Sequence, residues 1–287
     1  MSIQKNYQTL PIYKVSINFS LSILYAVLIT LAFILTIQHE FVDHAQFQLH
    51  AWMLAFLGLS FVLVLGCFKT EIVSRKISFL FVLSLFSLLT AMRIAMLGNY
   101  FDVFLTTAIA ALVKIAILCD ISKKDIYSHG KVQERYIKRL DWQVLMVRLL
   151  IGLVLVPHFT EKLFAGPMVR GDDVAAFASM GITQPVFFVI LAGLCEFFGS
   201  LAVSCGFFTR LSSLCVLIYL MVATYLGGHF DNGFIWAGAG GGWEYPVLWA
   251  ALLLCFSFFG PGYFSIDQYL CSKYALPKWV LKIMGVK

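Results

Sequence analysis

Long apolar runs separated by short polar segments organise the whole chain. Eight runs stand out, at residues 17–37, 51–68, 77–97, 103–119, 142–164, 185–208, 211–226 and 245–259. A helix rises about 1.5 Å per residue, so about 20 residues are needed to cross roughly 30 Å of hydrocarbon. Most of the runs approach this length, and the last two are the shortest. The pattern therefore predicts eight membrane-spanning segments.

These segments are predicted to be helices. They lack the apolar and polar alternation of barrel strands, and lipid offers open backbone groups no hydrogen-bond partner. Composition agrees, because 61% of the residues are hydrophobic and 13% are charged, whereas soluble domains are about half apolar and about a quarter charged. The first run is followed by Gln38, His39 and Glu40 rather than by a cleavage site, so we expect it to be retained. The predicted fold class is an all-α polytopic membrane protein.

Basic residues predict the orientation, because positive charge resists translocation across the membrane. They occupy alternate connections, whereas the opposite loops carry only Lys162 and Arg170. We therefore expect both termini in the cytoplasm and the chain in a bacterial inner membrane. The formal charge of +6 then fits a rim that faces anionic membrane lipids, and it requires no nucleic acid. The residues assigned to the cytoplasmic side are Lys5, Lys14, Lys69, Arg75, Lys76, Lys123, Lys124, Lys131, Arg135, Lys138, Arg139, Arg210, Lys273, Lys278, Lys282 and Lys287.

A charged segment at residues 121–141 divides the apolar runs four and four. We expect a four-helix bundle at residues 1–120, a cytoplasmic linker at 121–141, a second four-helix bundle at 142–268 and a basic cytoplasmic tail at 269–287. Similar residues around Cys67 and Cys205 raise the hypothesis of a parallel repeat, although chance patterning in apolar sequence explains them equally well.

Two loops between the later runs have recognisable patterns. Residues 171–181 begin with aspartates at an N-cap position and end in Gly181, so we expect a short interfacial helix there. Residues 237–242 are rich in glycine but have no preceding strand and no Gly-Lys-Ser/Thr ending, so they are not a phosphate loop. We expect this second loop to be flexible.

Charged residues inside the apolar runs are the first candidates for function. Arg148 and Glu196 lie within the fifth and sixth runs, where a charge costs at least about 2.5–3.5 kcal/mol on insertion scales. Such groups pair with each other or line a cavity. Two interpretations therefore stay open, an ion pair between Arg148 and Glu196 or a polar, proton-linked site. Arg93 and Lys114 raise the same question in the first half.

A second group of candidates follows Pro157, which removes a backbone hydrogen bond and predicts a kink. His158, Glu161 and Lys162 are spaced i, i+3 and i+4, so on a helix they share one face. They form either an interfacial anchor or a site in which His158 exchanges protons and Lys162 holds an anionic or carbonyl-bearing ligand. The same side of the membrane also carries His229 and Glu244.

Patterns for tightly bound cofactors are missing from the sequence. His39, His44 and His50 are five and six residues apart, which matches no standard metal signature, so we predict no metal site. No C-x-x-C-H haem site, dinucleotide fingerprint or iron–sulfur cysteine pattern is present either. None of these patterns therefore supplies ligands for a redox cofactor.

A series of short motifs runs in order through residues 142–268. They are Arg148-Leu-Leu-Ile-Gly152, His158-x-x-x-Lys162-Leu163, Ala175-Ala-Phe-x-Ser-Met-Gly-Ile182, Gly193-x-x-Glu196-x-x-Gly199, Gly206-x-Phe-Thr-Arg210, Gly233-Phe234, Glu244-Tyr245, Gly260-Pro-Gly262 and Ser265-Ile-Asp267. Together they resemble the DoxX-like family of small four-span membrane proteins. Phe159 departs from the family pattern, which commonly has glycine there, and the first 120 residues lie outside the typical unit.

The resemblance implies a four-helix bundle and an association with membrane redox chemistry, because one relative is a subunit of thiosulfate:quinone oxidoreductase. It also supplies motif positions that coincide with the ionisable candidates. We expect His158 and Glu196 to be catalytic and a quinone to be the cofactor. The expected binding residues are Arg148, Lys162, Arg210, His229 and Glu244.

Two functions compete on this sequence. In the first, the chain is the membrane subunit of a quinone-linked redox system, with a pocket for a quinone or a small sulfur anion. In the second, it is a non-enzymatic receptor, assembly factor or transporter. Intramembrane charges in both halves favour the second function, as does a doubled architecture that resembles eukaryotic cargo receptors. Whether the chain is an enzyme stays open at this point.

Overall fold

The computed structural model describes residues 14–42, 47–67, 71–73, 77–128 and 132–286. These residues are almost entirely helical, which confirms the predicted all-α membrane fold. Two three-residue strands, β1 (Lys14–Ser16) and β2 (Glu71–Val73), pair antiparallel with Lys14 opposite Val73. Several residues used above lie outside the described ranges, namely Lys5, His44, Lys69, Arg75, Lys76, Lys131 and Lys287.

Eleven α-helices are present in the described part of the chain. They are α1 (Phe19–Val42), α2 (Phe47–Cys67), α3 (Ile77–Gly98), α4 (Phe101–Tyr127), α5 (Val132–Phe159), α6 (Pro167–Ser179), α7 (Pro185–Cys205), α8 (Thr209–Leu226), α9 (Glu244–Phe259), α10 (Ile266–Lys273) and α11 (Lys278–Met284). A π-helical turn at Thr160–Phe164 continues α5.

Seven of the described helices are long and apolar enough to cross a membrane. They are α1 to α5, α7 and α8, at the positions of the first seven predicted runs. The eighth run forms α9, an apolar helix of 16 residues, which is about 24 Å long and therefore shorter than the hydrocarbon core. The chain is a multi-pass membrane protein with seven full-length candidate spans and one short apolar helix among its described residues.

The described chain divides into two compact units, one within residues 11–142 and the other within residues 143–287. The charged segment at 121–141 is largely helical, because α4 continues to Tyr127 and α5 begins at Val132. Its Asp125 is buried and accepts a hydrogen bond from the Trp142 indole over 2.8 Å. The expected separate linker is therefore mostly the ends of two spans.

The first unit is a closed four-helix bundle. Each of α1, α2 and α3 packs against the next helix along the chain, and α4 packs back against α1. All four helices supply the core, which contains Ala32, Met53, Phe56, Ile94 and Val103. The buried hydroxyl of Thr107 donates to the carbonyl of Val103 in its own helix, so it needs no distant partner.

The second unit is built around α7, which presents one face of small residues to its neighbours. A side-chain carbon at Gly152 of α5 would lie 2.0 Å from the Ser204 hydroxyl, and one at Gly199 would lie 2.5 Å from a methyl of Val216 on α8. Such close approaches are how helices associate where lipid removes the hydrophobic driving force. Ile151, Val203, Val216 and Leu253 join α5, α7, α8 and α9 in one core.

The short helix before α7 starts earlier than expected. α6 begins at Pro167, so Gly171, Asp172 and Asp173 lie inside the helix and not at its N-cap. Proline is favoured in the first helical turn because its missing N–H needs no partner there. The expected helix exists, but the predicted capping role of the aspartates is wrong.

Candidate functional site

A cavity of about 510 Å³ opens at one end of the second unit. Its walls come from the end of α5 with the π-helical turn, from α6, from the first half of α7, from the second half of α8 and from the start of α9. Most of the lining is aliphatic or aromatic, with a few polar side chains. This size and composition are those of a site for a small organic molecule.

The π-helical turn sets the position of Lys162. Pro157 lies inside α5, and the helix widens into π geometry from Thr160, whose hydroxyl donates to the carbonyl of Val156. Arg170 of α6 donates to the carbonyls of Lys162 and Leu163 over 2.9 and 2.8 Å. A π-helical turn interrupts the regular α-helical hydrogen bonds, so these two carbonyls need other donors. π-helical turns are also common at functional sites. Arg170 therefore holds the turn that carries Lys162.

Lys162 forms a buried ion pair with Glu196. The ammonium is 3.1 Å from Oε1 of Glu196 and also donates to the carbonyl of His158 over 3.2 Å. Only 9% of Lys162 and 4% of Glu196 are exposed. The hydroxyl of Tyr219 donates to the same Oε1, while Oε2 has no hydrogen-bond partner among the described residues. One carboxylate oxygen thus accepts two hydrogen bonds, and the other is buried without a described partner in a side chain that lines the cavity.

Two histidines flank a row of aromatic rings along the cavity. The rings of His158, Trp249, Tyr245, Trp236 and His229 are neighbours in that order, with centroid separations of 6.1, 5.8, 5.7 and 5.3 Å. All five side chains line the cavity. Trp249 is anchored by its indole N–H, which lies 3.3 Å from the carbonyl of Ile151. Neighbouring rings are tilted by 38–55° to one another. The row therefore forms a stepped apolar wall with a histidine at each end.

The glycine-rich loop is closed on itself by backbone hydrogen bonds, although we expected flexibility. Gly242 and Glu244 donate to the carbonyls of Ile235 and Phe234 over 3.1 and 2.9 Å. A side chain on Gly242 would lie 2.4 Å from the carbonyl of Gly233, so only glycine fits this crossing. Glu244 itself accepts from the Trp236 amide over 3.3 Å and does not line the cavity. Its role is to hold the loop that presents Trp236.

The structure brings four of the seven candidate residues to the cavity. His158, Lys162, Glu196 and His229 line it, whereas Arg148, Arg210 and Glu244 do not. Glu161 was expected to share a face with His158 and Lys162, but it is exposed and absent from the lining. The reason is the π-helical turn, which changes the angular spacing that an α-helix would give.

Arg148 does not pair with Glu196, so that interpretation is wrong. Its guanidinium is fully buried and donates to the carbonyls of Ser204, Pro261 and Phe264, the first over 3.2 Å. Arginine suits this position because its N–H groups spread in a plane and can each meet a different acceptor. Arg148 therefore fastens the segment after α9 to the end of α7, away from the cavity.

Arg210 and Asp267 belong to the same structural end. Arg210 donates to the carbonyl of Phe258 over 2.6 Å. Asp267 accepts from the amides of Phe208 and Thr209, each over 2.8 Å, and so caps the start of α8 from outside the helix. Burial raises the pKa of Asp267 to about 6, although these hydrogen bonds and the charge of Arg148 act to lower it.

Several residues of the site were missed from the sequence. Tyr219, Trp236 and Asp173 line the cavity, and Arg170 supports it. A tyrosine in an apolar run and a tryptophan near an interface are both ordinary, so nothing marked them as site residues. Asp173 lies one residue from Asp172, and the helical register of α6 alone decides which of the two faces the cavity.

The charged residues of the first unit are held differently. The Lys114 ammonium lies 4.3 Å from the centre of the Tyr25 ring, and the Tyr25 hydroxyl donates to Ser84 over 3.3 Å. His39 lies 2.8 Å from Asp102 and stacks on Tyr100 with a centroid separation of 3.9 Å. Within the described ranges, no three histidine, cysteine or acidic side chains are grouped to hold a metal.

Comparison with known families identifies part of the second unit. Residues 143–229 match the DoxX family. This part of the chain is therefore similar to DoxX proteins. The predicted resemblance is confirmed over this range, which contains His158, Lys162, Glu196, Tyr219 and, at its last position, His229. No curated protein and no solved structure matches the chain.

Proposed function

We propose that the second unit binds a quinone headgroup in the cavity and acts as the membrane subunit of a quinone-linked redox system. The observation that carries this proposal is the buried pair of Lys162 and Glu196 with its free carboxylate oxygen, placed in an apolar cavity between His158 and His229. A quinone needs a flat apolar slot for its ring and proton-exchanging groups for its oxygens. The aromatic row supplies apolar ring faces, on any one of which a quinone ring can stack, and the two histidines supply groups that can exchange protons.

The charges at the cavity favour a quinone over a small sulfur anion. Lys162 is the one lysine or arginine side chain in the described lining, and Glu196 already neutralises it. Asp173 adds a second carboxylate to the wall. An anion would therefore meet excess negative charge, whereas a neutral ring would not.

The receptor or transporter hypothesis has less support. It makes Arg93 or Lys114 as important as His158, and Lys114 lines a cavity of about 30 Å³ in the first unit. The cavity of the second unit, measured in the same way, holds about 510 Å³. The smaller cavity cannot hold a client segment or an organic substrate.

The membrane and the orientation of the chain decide how a ligand reaches the cavity. We propose a bacterial inner membrane with both termini in the cytoplasm, an orientation that the loop charges support. In that orientation the cavity opens toward the outer half of the bilayer. A membrane-soluble quinone reaches such a site from the lipid. The electrons would come from, or go to, a partner subunit.

The test is quinone binding by the purified full-length chain in mild detergent. Bound quinone is measured by extraction and by native mass spectrometry after incubation with decylubiquinone, for the wild type and for the double variant His158→Ala, Glu196→Ala. The matched control is His39→Ala, Asp102→Asn, which removes a histidine–carboxylate pair 2.8 Å apart in the first unit. We expect binding in the wild type and control and at least a tenfold loss in the cavity variant. Absent binding in the wild type, or equal binding in all three, refutes the proposal.

A further inference from the structure

The free oxygen of Glu196 indicates which form of the ligand the cavity takes, an inference that rests on the proposed quinone site. Glu196 is 4% exposed and lines the cavity. Its Oε1 accepts from the Lys162 ammonium over 3.1 Å and from the Tyr219 hydroxyl. Its Oε2 is buried without a hydrogen-bond partner in the described part of the chain. Buried polar atoms are rarely left unpaired, so we expect a ligand in the cavity to form the missing hydrogen bond to Oε2.

The contacts at Oε1 favour an ionised Glu196. An ammonium and a phenol both donate to that oxygen, and a carboxylate accepts two such bonds far better than a neutral acid does. With Glu196 ionised, Oε2 can only accept a hydrogen bond. The ammonium is already engaged, because it donates to Oε1 and to the carbonyl of His158.

His229 presents a second acceptor. Its Nδ1 lies 2.8 Å from the carbonyl oxygen of Gly241. A carbonyl only accepts, so Nδ1 must carry the proton, and the neutral ring then leaves Nε2 as an acceptor. His158 at the other end of the aromatic row offers one donor and one acceptor in either neutral form, so it suits any ligand.

We propose that the cavity selects the hydroquinone over the quinone. A hydroquinone carries two O–H donors at opposite ends of its ring, whereas a quinone carries two carbonyl acceptors. The hydroquinone donates to Oε2 of Glu196 at the α7 wall and to Nε2 of His229 at the far end of α8. A quinone in the same place would set its carbonyl oxygens against these two acceptors.

Selective binding changes the redox property of the bound molecule. If the hydroquinone binds tenfold tighter, the midpoint potential of the bound two-electron couple rises by about 30 mV. The site then stabilises the reduced form.

The experiment compares decylubiquinol, kept reduced under anaerobic conditions, with decylubiquinone by isothermal titration to the full-length protein. We expect the wild type to bind the reduced form at least tenfold tighter. In Glu196→Gln, which replaces an acceptor oxygen by an N–H donor or a neutral oxygen, we expect the preference to vanish or reverse. His229→Phe should reduce it by several-fold, and Asp102→Asn in the first unit should leave it unchanged.

The outcomes separate this inference from the proposed function. Equal affinity for both forms, or tighter binding of the quinone, overturns the inference and leaves the quinone site standing. Failure of both forms to bind overturns the proposed function itself. An unchanged preference in a folded Glu196→Gln also overturns the assignment. If Glu196→Gln does not fold, the test rests on the ratio of hydroquinone affinity to quinone affinity in the wild type and in His229→Phe. An equal ratio in these two proteins overturns the inference.

Discussion

The two ends of the second bundle treat buried charge in opposite ways. At one end, three carbonyls accept from the fully buried Arg148, and two backbone amides donate to Asp267. At the other end, Lys162 and Glu196 pair with each other and leave one carboxylate oxygen unused beside a cavity. A buried charged group whose hydrogen bonds are all made to the backbone stabilises the fold. A buried charged group that lines a cavity and keeps one unpaired hydrogen-bonding atom can bind a ligand.

The largest loss of stability should come from replacing Arg148, whose guanidinium bonds to backbone carbonyls. Arg148→Met leaves three buried carbonyls without their donor, and we expect a loss of about 3–5 kcal/mol in stability. The measurement is thermal stability in detergent, followed by fluorescence-detected size exclusion. Arg139→Met, at an exposed arginine, is the control and should change little. Equal stability of the two variants would show that Arg148 is not a structural centre.

At the cavity end, the single substitution should lower the stability more than the double substitution does. Lys162→Met leaves the carboxylate of Glu196 without its cation, and we expect a loss of about 1–3 kcal/mol. The double variant Lys162→Met, Glu196→Leu replaces the pair by apolar groups and should regain most of this stability. Its hydroquinone binding should still be lost. A double variant that is less stable than the single one would mean that the pair is structural, as at the Arg148 end.

A smaller effect is expected at Arg170, which supports the cavity without lining it. Arg170→Gln removes two charge-assisted bonds to the π-helical turn, so we expect about 1–2 kcal/mol lower stability in this partly exposed setting. Ligand affinity should fall several-fold because Lys162 shifts. Arg170→Lys should recover part of the affinity. Unchanged ligand affinity in Arg170→Gln would show that the π-helical turn does not position Lys162 for binding.

The smallest effect is a pH dependence at the structural end. Burial raises the pKa of Asp267 from 3.8 to about 6, so the folded chain binds this proton more tightly than the unfolded chain. The corresponding stability is present below about pH 4 and is lost as the pH rises through about 6. We expect the wild type to lose stability over this range relative to Asp267→Asn. Parallel pH profiles for the two proteins would contradict this expectation.

The lengths of the apolar runs were enough to predict the fold class and the location of most helices. The reason is that lipid forces every span to be apolar, helical and about 20 residues long, and local sequence records all three properties. The same constraint made Arg148 and Glu196 stand out, because a charge in an apolar run is costly wherever it faces.

Which charges meet depends on the way the helices turn and pack, and local sequence does not record that. The π-helical turn after Phe159 points Lys162 inward and leaves Glu161 exposed. The close crossing at Gly152 and Ser204 lies at the opposite end of the second unit from the cavity, and there Arg148 bonds to the carbonyl of Ser204 and not to Glu196. Tyr219 of α8, which lies 23 residues after Glu196 in the sequence, completes the site. Such long-range partners are fixed by packing geometry, so they emerge only when the bundle is assembled.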